Sequence, residues 1–296
     1  MILQSLNEPS HLARAKFCQF VFRWALFFGL CGFAISPSAA YSLSSNWVGD
    51  PNIGEVRLTS AVAATGDLQE LPLGLEFRLA PGWKIYWRTP GEAGLPPEIN
   101  LIAEGNLLVS SIEWPIPKRF NAFGFDNFGY DTDVILPLQV TGHKPNTTVQ
   151  LHGQVEALVC ADICVPIGGT VALTIPAGIA LATAESRSIA RASALVPWRE
   201  GPPLFAVERA WQVKDALHMR FSHAYAIDDI FIEGIEGVSF KKPDLDGTDV
   251  VIEIEAPMSV DLVGNNITAT IIASGLFAEQ SLTIKATAPD TAARQP

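Results

Sequence analysis

Methionine, cysteine and histidine are scarce in this chain, with three, four and five among 296 residues. Beyond the first forty residues only Met219 and Met258 remain, so there is no methionine-rich surface for soft metals. The four histidines of that region, His143, His152, His218 and His223, show no tight metal-ligand spacing and read as surface residues. Basic residues are also short: 20 Lys and Arg face 31 Asp and Glu, for a net charge of −11. That balance argues against nucleic acid and anionic membrane surfaces as partners. No later apolar run approaches the ~20 residues of a spanning helix. Glycine-rich phosphate loops, metalloprotease helices and serine nucleophile elbows are absent in any suitable context, as are repeats of fixed period.

The long apolar stretch that does exist lies at the start. Arg14, Lys16 and Arg23 flank an apolar run from Trp24 to Ile35, followed by Ser38-Ala39-Ala40. This is the pattern of a cleaved secretory signal over 1–40, with cleavage after Ala40, and it predicts export to the periplasm. Cys18 and Cys31 then leave with the leader. Phe28-Gly29-Leu30 lacks the small residues expected before a lipid-bearing cysteine, so Cys31 is no lipid anchor.

Period-two alternation dominates the remainder. Val56, Leu58, Ser60 and Val62; Leu73, Leu75, Phe77 and Leu79; Trp83, Ile85 and Trp87; Val149 through Val159; and Val171, Leu173 and Ile175 each turn one face inward. Turn chemistry at Ala80-Pro81-Gly82 and Thr89-Pro90-Gly91 separates short strands. The expected fold is all-β: an antiparallel β-sandwich over 41–180, a helix and linker over 181–203, and a second, smaller β-sandwich over 204–296. The helix is predicted from Thr183 to Leu195, where Ile189, Ala192 and Leu195 share a face and Pro197 closes the segment. Trp83 and Trp87, at strand spacing, read as core rather than as a ligand platform.

Cys160 and Cys164 are the chemically distinctive pair. In a straight strand residues four apart stand ~13 Å from each other, whereas a disulfide needs Cα atoms within about 4.4–6.8 Å. The chain must therefore turn at Ala161-Asp162-Ile163, joining a strand over 149–159 to one over 170–175. A bridge closing so small a loop restrains the unfolded chain by only ~2 kcal/mol, which makes it a poor staple and fits exchange chemistry. Glu156 and Asp162 nearby would raise a thiol pKa, so the pair suits a disulfide awaiting attack better than a free attacking thiol. Folding would have to bring His152 or Lys144 close to supply a local activating charge.

Three segments carry a family resemblance: Leu75-Glu76-Phe77-Arg78-Leu79-Ala80-Pro81-Gly82-Trp83-Lys84-Ile85-Tyr86-Trp87, then Phe123 through Leu138, and the cysteine hairpin. In that order they resemble the periplasmic N-terminal domain of the thiol:disulfide interchange protein DsbD and its relative, the copper-sensitivity suppressor ScsB, over residues 46–178. The tail resembles the second sandwich of the ScsB-type ectodomain. The resemblance implies an immunoglobulin-like fold in which Cys160 and Cys164 are the redox centre and Cys164 engages the partner. It also implies a cap loop over the pair, with Phe123 at the cap's aromatic position and Phe125, Phe128 and Tyr130 in the same segment. The implied partners are a separate membrane-embedded thiol reductase of the DsbD/ScsB type and periplasmic thioredoxin-like proteins; no cofactor is implied. Asn121 and Ala122 stand where that family has acidic residues before the cap aromatic, and the cysteine spacing is shorter than in the best-known DsbD domain. The resemblance covers the ectodomain alone, so the membrane relay that supplies electrons is expected on another polypeptide.

Two other readings use the same residues. Cys-x-x-x-Cys with an Asp in the spacer also resembles Sco-type copper chaperones, and two thiolates suit Cu(I); there, however, the motif opens a helix, whereas Val165-Pro166-Ile167-Gly168-Gly169 leads into a strand. A partner-binding sandwich with a fixed disulfide is the other.

Overall fold

A computed structural model describes residues 41–103, 108–109, 111–122, 124–199, 205–223, 226–246 and 249–286. The leader expected over 1–40 and the expected cap residue Phe123 lie outside the described residues. The first eleven strands are β1 (Val48–Asp50), β2 (Gly54–Ser60), β3 (Leu71–Leu79), β4 (Lys84–Gly91), β5 (Glu98–Ala103), β6 (Leu108–Val109), β7 (Lys118–Ala122), β8 (Phe125–Tyr130), β9 (Val134–Thr141), β10 (Val149–Cys160) and β11 (Cys164–Ile175). They form two sheets, ordered β1-β2-β3-β9-β6 and β11-β10-β4-β8-β7, with β5 also paired to β10.

The alternation explains how these sheets close on each other. Val56 and Leu58 of β2, Leu71, Leu73, Leu75 and Phe77 of β3, and Leu136, Leu138 and Val140 of β9 point inward from one sheet. Ile85 and Trp87 of β4, Phe128 and Tyr130 of β8, and Val155 and Val159 of β10 meet them from the other, giving one core. This is the expected immunoglobulin-like sandwich. Helix α1 (Ser186–Ser193) lays Ile189 and Ala192 against the first sheet. Gly74 permits this approach, because a Cβ there would stand 2.6 Å from Ile135 and 3.2 Å from Ile189.

Eight further strands follow: β12 (Val207–Val213), β13 (Ala216–Phe221), β14 (Ile227–Glu233), β15 (Ser239–Phe240), β16 (Asp244–Asp246), β17 (Asp249–Glu255), β18 (Asn266–Ala273) and β19 (Leu276–Lys285). Both halves of this set, β14-β18-β19 and β12-β13-β17-β15, turn their apolar faces to one core that includes Ile230, Ile271, Met219 and Ile252. A short parallel pairing, Ala210 with Ile284 and Trp211 with Lys285, joins the halves along one edge.

The two sandwiches share a boundary. Phe231 of β14 packs into the first core, its ring 5.9 Å from that of Trp87 and edge-on to Phe128 at 5.0 Å. Around it Arg88 pairs with Glu233 (2.5 Å) and Glu279 (2.6 Å), and Arg119 with Asp229 (3.2 Å).

Candidate functional site: the cysteine hairpin

β10 and β11 pair without a break from Val149 opposite Ile175 to Cys160 opposite Cys164. The turn falls at Ala161–Ile163, where the Ala161 N–H donates to the Ile163 carbonyl at 2.9 Å. Opposite residues of an antiparallel pair point to the same face, so this register juxtaposes the two sulfurs. They form a disulfide, with Cα atoms 4.1 Å apart. The chain turns where the cysteine spacing predicts.

The two sulfurs are not equivalent. Cys160 has 1 % of its surface exposed, whereas Cys164, at the start of edge strand β11, is exposed. β10 gains a second neighbour at this point, because β4 pairs Ile85 with Val159 and Lys84 with Cys160. Cys160 thus sits between strands, and Cys164 has a strand on one side only.

Alternation also identifies the other residues on the cysteine face. Lys84 stands directly across from Cys160, and Tyr86 follows on the same side of β4. Beyond them the β7–β8 hairpin places Phe120, Ala122, Phe125 and Asn127 on this face. The Phe120 ring lies 6.0 Å from that of Tyr86 and 5.7 Å from the Lys84 ammonium. Over Tyr86 passes the loop from Gly91 to Glu98; Gly94 has φ +101°, and a Cβ there would come within 2.3 Å of the Tyr86 ring. Tyr86 is therefore fully buried although it points away from the core, and its hydroxyl has no hydrogen-bond partner among the described residues. Burial raises the pKa of this phenol.

Asn127 binds that loop to the hairpin. Its Oδ1 accepts from the Ala93 N–H at 3.0 Å, while Nδ2 donates to the carbonyls of Phe125 (3.0 Å) and Ala122 (3.4 Å). From the second sandwich Lys241 reaches the same unit, with Nζ 3.2 Å from Glu92 and 3.7 Å from Asp126, and it also pairs with Glu255. These carboxylates hold the Lys241 ammonium well above the ordinary lysine range, with the Glu255 hydrogen bond contributing most.

The residues expected to form the cap separate. Phe125, at the turn end of the hairpin, is 44 % exposed on the cysteine face. Phe128 and Tyr130 are instead buried core residues: Phe128 packs on Phe231, and the Tyr130 hydroxyl donates to the Pro115 carbonyl at 2.8 Å. The reason is parity. Residues 125 and 128 lie three apart in one strand and so point to opposite faces.

Neither proposed activating cation adjoins the disulfide. His152 is eight residues back along β10, about 26 Å away in an extended strand, and Lys144 precedes β10 at its far end. Lys84 holds the cross-strand position instead, a role its residue type and parity with Tyr86 would have revealed had β4 been paired with β10 in advance. Nearby, the Asp131 carboxyl lies below its ordinary pKa, chiefly through its hydrogen bond from Lys118 at 2.6 Å, with a smaller effect of Lys84. Of the histidines expected at the surface, His143 is instead buried. Among the described residues no group of three or more His, Cys, Asp or Glu is arranged to hold a metal ion.

An immunoglobulin-like sandwich with a disulfide across its terminal hairpin, one sulfur buried and the other exposed, defines the class. Residues 56–176, within the first sandwich, match the family model described as thiol:disulfide interchange protein DsbD, N-terminal. Among solved structures, the N-terminal periplasmic domain of ScsB from Proteus mirabilis superimposes with a TM-score of 0.63 at 23 % identity, covering 83 % of this chain and all (100 %) of that one. The fold is thus shared across both sandwiches. The periplasmic chaperone SfaE (TM-score 0.19, 11 % identity, 77 % of this chain and 100 % of that one) and a chimeric titin Z1Z2 (0.17, 8 %, 84 % and 99 %) are far weaker matches. No curated protein sequence matches the chain.

Proposed function

We propose that this is a periplasmic thiol–disulfide exchange protein whose Cys160–Cys164 pair relays electrons between a separate membrane-embedded thiol reductase of the DsbD/ScsB type and periplasmic thioredoxin-like proteins. One observation carries the reading: Cys164 is exposed and Cys160 is buried within the same disulfide.

The chemistry follows from that asymmetry. A reduced partner's thiolate attacks the Cys164 sulfur, the bond to Cys160 breaks, and Cys160 leaves as a thiolate with Lys84 at the cross-strand position. The partner's second thiolate then attacks its own sulfur in the mixed disulfide and releases Cys164. The partner leaves oxidised, and this pair has gained two electrons and, after protonation, two protons. Delivery to an oxidised acceptor runs the same steps backward, with Cys164 attacking and Cys160 resolving. Tyr86, Phe120 and Phe125, on the same face, screen the buried Cys160 side of the bridge from small thiols until a docking partner moves them.

Thiol trapping across glutathione buffers, with circular dichroism alongside, tests the reading. The pair should titrate at a potential above about −300 mV while the fold persists. A bridge that resists reduction below that range, or a fold that melts when it opens, would identify a staple. Cys160→Ser should accumulate mixed disulfide through Cys164, and Cys164→Ser should accumulate far less; equal trapping would remove the assignment of Cys164 as the engaging sulfur.

A further inference from the structure

A groove of about 550 Å³ runs along the outer face of β10 and β11, bounded by Leu95, Pro96 and Glu98 on the side away from β11. Its Leu158–Pro166 end lies one row from the disulfide, because the outward residues of the hairpin come in rows. Cys160 and Cys164 form the first row, Leu158 and Pro166 the second, and Glu156 and Gly168 the third, with successive rows ~7 Å apart. The second row is apolar, and Leu95 beside the groove is 63 % exposed.

The third row is electrically unbalanced. Glu156 pairs across the sheet with Glu98, so two carboxylates stand directly opposite each other, and neither forms an ion pair among the described residues. Like charges so placed repel, and a cation between them relieves the repulsion. The floor beside them is bare: Gly168 has φ +141°, and a Cβ there would lie 2.0 Å from the Val155 carbonyl oxygen.

We propose that this groove receives the extended segment next to the reactive cysteine of a partner protein, and that it selects an apolar side chain two residues from that cysteine and a Lys or Arg four residues from it. An extended strand repeats its side-chain direction every second residue, matching the row spacing. A cysteine bonded to Cys164 therefore delivers positions two and four to the Leu158–Pro166 row and to the Glu98–Glu156 pair. The assignment rests on the exchange reading and adds the recognition rule for its partner.

Two capped peptides of identical composition test it, Cys-Ser-Leu-Ser-Arg and Cys-Ser-Arg-Ser-Leu, each also made in reverse order. The measurement is the second-order rate at which each reduces Cys160–Cys164 in the full chain. In at least one chain direction, the peptide with leucine two residues from the cysteine and arginine four residues from it should react about tenfold faster than its isomer. The preference should collapse in Glu98→Gln/Glu156→Gln and persist in Glu208→Gln/Asp215→Asn, which removes the same charge from the second sandwich. Equal rates for the isomers in both directions, or a preference that survives Glu98→Gln/Glu156→Gln, would overturn the groove assignment and leave exchange intact. If neither the peptides nor dithiothreitol opens the bridge in the folded protein, the exchange reading fails and the groove assignment falls with it.

Discussion

Lys84 illustrates how much one side chain can decide at the redox centre. It faces Cys160, the sulfur that must carry negative charge when the bridge opens. A nearby ammonium stabilises that thiolate and hence the reduced pair. Lys84→Met should therefore lower the reduction potential by about 20–30 mV, since ~30 mV corresponds to a tenfold change in the equilibrium constant of a two-electron couple. Equilibration with glutathione would read the shift, and an unchanged potential would show that the charge does not reach the sulfur. The aromatic residues divide equally sharply. Phe128→Ala should cost ~3–5 kcal/mol in a denaturant titration, as expected for a buried ring, whereas Phe125→Ala should cost little. A large loss from Phe125→Ala would place that ring under load in the fold and remove it from the screen.

At the scale of elements, the Gly91–Glu98 loop and the β7–β8 hairpin act as one unit because Asn127 joins them. Asn127→Ala leaves the Ala93 N–H and the Ala122 and Phe125 carbonyls without that partner, at a cost of about 1–3 kcal/mol. Loosening should also expose the disulfide, so reduction by glutathione should accelerate by more than the stability loss alone would produce through global unfolding. Gly94→Ala provides an independent route to the same outcome, since its Cβ would displace the Tyr86 ring. Protection that stays unchanged in both variants would show that this unit does not screen the cysteines.

For the whole molecule, Phe231 and Arg88 decide whether the sandwiches behave as one. Phe231 belongs to the core of the first sandwich although its strand lies in the second. Arg88 is largely buried between two glutamates of the second sandwich. Arg88→Ala leaves Glu233 and Glu279 facing each other without their cation, and breaking a buried pair in this way costs ~3–5 kcal/mol. The intact protein should unfold in one calorimetric transition and Arg88→Ala in two. A single transition in the variant would mean that Phe231 and its ring contacts hold the sandwiches together without the ion pairs.

The sequence by itself determined the β-sandwich and the turn between the cysteines. Alternating apolar residues can satisfy a core only as strands, and two cysteines four apart can bridge only if the chain reverses between them. It also carried the family resemblance, whose motifs are local runs. Strand pairing decided the rest. The glycine-flanked segment Gly124–Gly129 reads as a loop in sequence, and only its pairing as β8 shows that Phe125 lies on the sheet face that bears the cysteines while Phe128 faces the core. Cys160 and Cys164 share a row and a residue type, so no local pattern distinguishes them; the arrival of β4 beside β10 buries one and leaves the other open. Lys84, Tyr86, Phe120 and the Glu98–Glu156 pair are brought to the site from separated segments, and long-range register alone sets which of their side chains share a face.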